Sequence, residues 1–409
     1  PPPARPPPPP PAPPPPPAPG PRGSGRRLRG GGAEAVNEVR RLTTLVREKG
    51  ACALPGSTID YERFEPVLRR AMSRGYVKDH HGYYVLDGLR NGFTLGVTPG
   101  SLKGRRRFRN YPSAYAAYDS VTSAVTARVA SKKTLRLGPW SELKSALAEL
   151  FPDYFVFPMG AVPKPHQPWV WRPTSDHTRT GFNAATILGI LKHSLDTYKR
   201  VCWFLKQNYV MYVSDVEDAF TLIPLAPWLW AFMCFTWPDV APGPPSVLDE
   251  ILFLHLFADF GTRGMPGTFK VFLVDCVVQM ARSEGVISLP LEIYVDDAAL
   301  IGPLVDETND EMEHLQDFTT DVCGVPWKRL KDKPAANVNP YIGFIWHTPS
   351  LTISLEENKL SAYLATLLEA SSKASLTLRE RQSLAGKMHR GIRTLPPGAS
   401  CLLTNCYAL

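Results

Sequence analysis

LEIYVDDAALIG, residues 291–302, sets two short apolar arms on either side of an acidic pair, Asp296 and Asp297. Arms of this length, rich in β-branched and aromatic residues, read as strands. The pair between them reads as a two-residue turn, because aspartate tolerates the unusual dihedrals such turns need. A lone loop carboxylate is ordinarily just solvated. Two adjacent carboxylates hemmed in by apolar strands are different, since sinking them into a fold without a cation is costly.

Upstream, QNYVMYVSD (207–215) is a second strand ending on an acid, Asp215. Between the two lies GTFKVFLVDCVVQMARSEG (267–285), a helix with Phe269, Phe272, Leu273, Cys276, Val277 and Met280 on one face. Strand–acid, helix, then strand–acid–acid–strand brings three carboxylates to neighbouring strand ends. The 81 positions from Asp215 to Asp296 leave room for the helix. Hard oxygen donors so placed suit two magnesium ions roughly 3.5–4 Å apart. One ion activates a primer 3′-hydroxyl. The other holds a triphosphate and its leaving pyrophosphate.

Five segments in order give this pattern a family resemblance. YVDD (294–297) resembles the catalytic box of reverse transcriptases. SDVEDAFTLIPL (214–225) resembles their first acidic motif, with Ala219 and Phe220 four and five residues after Asp215. FGTRGMPGTFK (260–270) is similar to the motif usually written FGLxxAPxxF. PMGAVPKPHQPWVWRPTSDHTRTGFN (158–183) is similar to the fingers segment, and YIGFIWHT (341–348) to the hairpin that grips the primer. Outside the palm the chain most resembles the enzymes of DIRS-like retrotransposons, through GLRNGFTLGV, Gly138-Pro139 and TLRERQSLAGKMHRGIRTLPPGASCLL. The resemblance runs from about 85 to 405. The chain departs from the pattern at Gly264, Met265, Gly267 and Lys270, and in the extra stretch PDVAPGPPSVLDEILFLHL (238–256).

The resemblance implies an α+β right-hand polymerase with fingers, an antiparallel palm sheet backed by helices, and a helical thumb. It implies RNA-directed DNA synthesis on an RNA or DNA template–primer with deoxynucleoside triphosphates. Two Mg²⁺ ions, with Mn²⁺ as an alternative, would be held by Asp215, Asp296, Asp297 and the backbone of Val216. Lys164 and Arg172 match the fingers residues that hold the triphosphate, Arg as a bidentate fork and Lys as a point charge. Phe220 matches the aromatic under the sugar that excludes a 2′-hydroxyl; a core Phe after a strand is the plainer alternative. Lys331 or Lys333, in RLKDKP, matches the donor to pyrophosphate. Gly261, Pro266 and Phe269 match residues on the template side of the nucleotide pocket.

The rest of the chain bounds this reading. With 409 residues and 44% apolar content, it can build two or three packed units. A net charge of +8 fits a polyanionic partner. KGRRRFR (103–109) concentrates five basic residues, read either as a nucleic-acid contact or as a solvated tail. Seven cysteines without CxxC or zinc spacing read as reduced, intracellular thiols, in cytoplasm or nucleus. The longest apolar run, APWLWAFMCFTW, is too short to span a bilayer, and no secretory signal is visible. A start at Pro1 reads as a fragment. The sequence divides into a disordered Pro/Gly/Arg-rich tail (1–32), a helical region (33–135), fingers and palm (136–355) and a thumb-like helical region (356–409). No second acidic constellation for RNase H is visible, and the oligomeric state is open. Rival readings are an inactive relic that binds nucleic acid, an RNA-dependent RNA polymerase, and an interaction protein built on the proline tract, which leaves the acids unexplained.

Overall fold

The computed structural model describes residues 31–164, 167–194, 197–239 and 250–395. The proline-rich tail up to residue 30, Cys401 and Cys406 lie outside them. Three helices open the fold: α1 (Gly31–Lys49), α2 (Tyr61–Ser73) and α3 (Asp79–Asn91). The Asp60 side chain caps α2 by accepting from the N–H groups of Glu62 and Arg63. The segment GLRNGFTLGV begins inside α3, whose last residue is Asn91 and whose C-cap is Gly92.

KGRRRFR is part of the fold and not a tail, although its five basic residues are all exposed. Arg105–Arg107 form strand β1, and two helices follow it, α4 (Pro112–Ala116) and α5 (Tyr118–Ala130). They are followed by β2 (Thr134–Pro139), α6 (Trp140–Leu150) and β3 (Tyr154–Val156). β1 pairs parallel with β3. The guanidinium of Arg106 lies 4.8 Å from the Phe155 ring centroid, and that of Arg107 lies 4.6 Å from Trp140 while pairing with Glu250 at 2.6 Å.

The fingers hairpin is β4 (Met159–Lys164) and β5 (Gln167–Ser175). Then come α7 (Thr197–Phe204), β6 (Val210–Asp215), β7 (Cys234–Pro238) and β8 (Glu250–His255). A five-stranded sheet runs β1-β3-β7-β8-β2. The boundary expected at 135–136 thus falls inside β2. The extra stretch at 238–256 supplies β8, which pairs with both β7 and β2.

The expected long helix is α8 (Met265–Lys270), a π-helical segment (Val271–Val277) and α9 (Val278–Ser283) in one run. After it come β9 (Leu291–Tyr294), β10 (Asp297–Gly302), α10 (Val305–Asp321) and β11 (Lys333–Ala336). The palm sheet is antiparallel throughout, in the order β11-β6-β10-β9.

Alternation along its strands explains why VMYV carries so little polarity. Val210, Tyr212, Ala298 and Leu300 face the large core shared with Phe269, Phe272 and Leu273. Met211, Val213, Ala299 and Ile301 face Tyr341, Phe344 and Trp346. Both faces are covered, so both registers are apolar. Those last aromatics belong to a three-stranded sheet of β12 (Val338–Tyr341), β13 (Phe344–His347) and β14 (Thr352–Leu355), the hairpin expected around YIGFIWHT extended by one strand. α11 (Glu357–Ser372) and α12 (Leu378–Gly391) follow, the latter opened by a Thr377–Glu380 capping box. Among the described residues Cys234, Cys276 and Cys323 are buried free thiols, Cys52 is half-buried and Cys202 is exposed. No described helix is long and apolar enough to cross a membrane.

Candidate active site

The three acids meet through strand register. Asp297 lies opposite Asp215 across β10–β6 and opposite Tyr294 across β10–β9. The two-residue turn is therefore Val295–Asp296, one position earlier than expected, and Asp297 is the first residue of β10. The residue with positive φ is Val295, at 62°. A β-branched side chain is strained there, in a place normally given to glycine. Its neighbours pin the turn. The Val216 N–H donates to the Asp296 carbonyl at 2.9 Å, and the Tyr341 hydroxyl donates to the Asp297 carbonyl at 3.2 Å.

Negative charge is crowded at this corner. Burial, and then the charge of Asp215, raise the pKa of Asp296 above the usual carboxylate range. Burial, Asp296 and Asp215 together push Asp297 up to about 6. An acid whose pKa is raised on folding holds its proton better in the fold than in the unfolded chain. Stability from this source is present below about pH 4 and is lost as pH rises through about 6. Without divalent metal, Asp297→Asn should be more stable than wild type at pH 7, by up to about 2–3 kcal/mol, and equal to it near pH 4. Urea denaturation at the two pH values in EDTA checks this; a variant less stable at pH 7 would contradict the crowding.

A lysine that sequence reasoning missed sits on these acids. The Lys328 ammonium lies 3.2 and 3.1 Å from the two Asp215 carboxylate oxygens and 3.4 Å from the Val216 carbonyl oxygen. Its own N–H donates to the Asp215 carbonyl at 2.9 Å. An ammonium thus stands among the oxygens expected to hold a metal, in the manner of a cation. Among the described residues no three His, Cys, Asp or Glu side chains are placed to hold one ion together. The donor chemistry nonetheless fits Mg²⁺: hard oxygens in a corner with excess negative charge, already drawing one cation. Of the lysines expected here, Lys333 opens β11, and its charge draws the pKa of Asp297 down. Lys331 is exposed in the short turn Arg329–Lys331. Nothing local marks Lys328, which is 113 residues from Asp215.

Two cavities open beside the acids, of about 330 and 480 Å³. Arg128, Phe260, Asp296 and Lys328 border both. Arg172, on β5, borders the larger, and its charge draws the pKa of Asp296 down. Lys164, at the end of β4, borders neither. Lys133 borders the smaller cavity and donates to Asp218 at 2.8 Å and to the Thr221 hydroxyl at 3.1 Å. Phe220 is only 6% exposed and borders neither cavity. Its ring packs against Phe260 (centroids 4.8 Å apart) and Phe269 (5.7 Å).

Gly261 borders the larger cavity with φ 93°, and an added Cβ there would meet the Ser175 carbonyl oxygen. Its own carbonyl accepts from Asn183 at 2.9 Å. Pro266 stands in the first turn of α8, and Phe269 is buried on the same helix. The departure at Gly264 has a packing cause: a Cβ would meet the Leu95 carbonyl.

Behind the larger cavity lies a buried polar cluster that the sequence did not announce. Asp259 pairs with Arg128 at 2.6 Å and accepts a short hydrogen bond from the Ser175 hydroxyl. His255 contacts Arg128 at 3.3 Å and Thr134 at 2.7 Å. Burial drives His255 down to about 3 and His177 to about 4, so both rings are neutral at physiological pH.

No family model and no curated protein matches this sequence. Among solved structures, the chain is similar to the foamy viral protease-reverse transcriptase dRH in complex with double-stranded DNA, at 15% identity and a TM-score of 0.56. The match covers 84% of this chain and 55% of that one. The foamy viral protease-reverse transcriptase in complex with an RNA/DNA hybrid gives 15% identity and a TM-score of 0.55, over 84% of this chain and 42% of that one. The chain thus spans about half the length of these structures or less. What the likeness establishes is the architecture: the chain has the mixed α+β fold of a reverse-transcriptase polymerase.

Proposed function

We propose that this chain is the polymerase portion of a reverse transcriptase of retrotransposon origin, which extends a primer with deoxynucleotides by copying a template. The observation that carries the reading is the cross-strand pair Asp215–Asp297 with Asp296 in the adjoining turn, beside cavities bordered by Arg172, Arg128 and Lys328. Three carboxylates and three cations at one corner match what nucleotidyl transfer has to hold: metal ions on one side and a triphosphate on the other. The similar foamy viral structures hold double-stranded DNA or an RNA/DNA hybrid. That supports a template–primer as the partner here.

Asp215, Asp296, Asp297 and the Val216 carbonyl would hold the ions. Bound Mg²⁺, or Mn²⁺, supplies charge neutralisation and activates the primer hydroxyl. The chain's own groups do the rest. Arg172 offers a planar fork to the phosphates, and Lys164 brings a point charge from the hairpin tip. Lys328, bound to Asp215 here, has to give up that carboxylate before it can serve as a ligand; its ammonium then faces the cavity that it borders. Lys331 and Lys333 remain the candidates to protonate pyrophosphate. Gly261, Pro266 and Phe269 shape the pocket wall on the template side. The retrotransposon assignment rests on the DIRS-like segments in the sequence.

Primer extension on a homopolymer RNA with the matching deoxynucleotide and Mg²⁺ tests the proposal. Extension is expected, and it should stop in EDTA. Binding of the template–primer without extension would favour the relic. A preference for ribonucleotides would overturn the assignment to reverse transcriptases.

A further inference from the structure

The run Lys328–Lys333 holds four basic residues and a single acid, Asp332. That acid borders neither cavity. Its carboxylate accepts from the Tyr212 hydroxyl at 3.0 Å, the Ser214 hydroxyl at 2.5 Å and the Gln316 amide at 2.8 Å. Gln316, on α10, also donates to Ser214 at 3.0 Å. All three donors are buried. Burial, then the charge of Asp332, push the pKa of Tyr212 up, which keeps its hydroxyl a donor. Three neutral donors on one carboxylate make a strong, directional grip.

Strand alternation gives that grip a consequence. Tyr212 and Ser214 lie on one face of β6, and Val213 and Asp215 on the other. Lys333, the residue after Asp332, opens β11 opposite Val213. Cross-strand partners share a face, so Lys333 stands on the face of Asp215 and, through the Asp215–Asp297 pair, of Asp297. Lys331 has no such place; it is exposed in the short turn before Asp332. The other end of the run is tied too, by the Lys328 N–H on the Asp215 carbonyl at 2.9 Å.

We propose that Asp332 is a positioning residue: gripped on one face of β6, it sets Lys333 on the other, where the Lys333 ammonium protonates the departing pyrophosphate. The proposal rests on the polymerase reading and deepens it, by singling out one of the two candidate lysines and what holds it. As the primer 3′-oxygen bonds to the α-phosphorus, the bond from that phosphorus to the bridging oxygen of the β-phosphate breaks. The bridging oxygen takes a proton from the ammonium. The 3′-hydroxyl's proton passes to water, and the neutral amine regains one from water. Asp332 touches none of the reacting atoms and acts through Lys333.

The test follows single-turnover extension of a primer by the full chain in Mg²⁺. It compares dGTP with its β,γ-difluoromethylene analogue, whose leaving group is the stronger acid and needs a proton donor less. Lys333→Met should slow dGTP incorporation by about a hundredfold, and Asp332→Asn by about tenfold, with nucleotide and template–primer Kd unchanged. Both deficits should shrink with the analogue. Asp332→Asn added to Lys333→Met should cost nothing further, because residues acting as one unit are not additive. Amide exchange over residues 329–333 should quicken in Asp332→Asn while 210–215 stay protected. Should Asp332→Asn fail to fold, Tyr212→Phe decides in its place, since it removes one donor and keeps the ring; a smaller deficit that shrinks with the analogue is expected. No deficit, or one of equal size with both nucleotides, would overturn the proposal. So would full additivity with Lys333→Met, or the leaving-group response appearing in Lys331→Met instead. A wild type that extends with neither nucleotide would sink the polymerase reading and this proposal with it, a result distinct from extension with unmoved ratios.

Discussion

Asp215→Asn is expected to reduce primer extension by about a thousandfold or more, some 4 kcal/mol of transition-state stabilisation, without loosening the fold. The substitution keeps the shape and removes one charge. The strand stays in place because β6 pairs through its backbone with both β10 and β11. What disappears is the carboxylate that draws Lys328 at 3.1 Å and that faces Asp297 in register. In the proposed chemistry it is also a ligand to the ions that activate the primer hydroxyl. Its charge is one cause of the raised pKa values of Asp296 and Asp297, so its loss relieves repulsion. The two effects have opposite signs, which makes the experiment discriminating. In EDTA at pH 7 the variant should melt no lower than wild type, and in Mg²⁺ it should gain less stability, because the ion binds the fold less tightly. Rapid-quench extension assays and melts with and without Mg²⁺ give both readouts. Extension at the wild-type rate would remove Asp215 from the active site. A collapse of Tm in EDTA would make it a structural residue.

The palm was legible because its signals are local. LEIYVDDAALIG carries its acids between two strand arms, and QNYVMYVSD is a strand pattern that ends on its acid. The π-interrupted helix between them keeps one apolar face despite Val271–Val277. Two things were not legible. One was register: a hairpin turn that looks natural at Asp296-Asp297 is shifted by one because Tyr341 and Val216 fix the backbone on either side, overriding what valine prefers. The other was sheet membership. Arg105–Arg107 is too short and too charged to read as a strand, and becomes one only because Tyr154–Val156 lies alongside. Lys328 and Arg128 belong with this second kind. Each is an ordinary basic residue in its own segment, and its carboxylate lies more than a hundred residues away, so no spacing rule reaches it.

Arg128→Met is expected to destabilise the protein by about 3–5 kcal/mol, the range for breaking a buried ion pair from one side. Asp259 is 3% exposed, and its carboxyl stays charged because the Arg128 guanidinium offsets the burial that would otherwise raise its pKa. Arg128 lies on α5, Asp259 just after β8 and Ser175 at the end of β5, so one carboxylate ties three segments at the cavity, and His255, against Arg128, reaches a fourth at Thr134 on β2. Methionine fills much of the arginine's volume but leaves Asp259 with the Ser175 hydroxyl as its one strong donor. His255 and His177 cannot take over cheaply, since burial holds both neutral. The double variant Arg128→Met/Asp259→Asn removes the stranded charge and should recover part of the loss, giving a favourable coupling in a double-mutant cycle. The pH dependence has a definite sign. A carboxyl held below its ordinary pKa contributes stability above the unfolded value near 4 and loses it as pH falls through the folded one. The gap between wild type and Arg128→Met should therefore be widest near neutral pH and narrow on acidification. Urea denaturation of the four proteins at pH 7 and again well below pH 4 measures all of this. A deficit under about 1 kcal/mol at pH 7 would mean that water reaches Asp259, and that the back wall of the cavity is held by apolar packing alone.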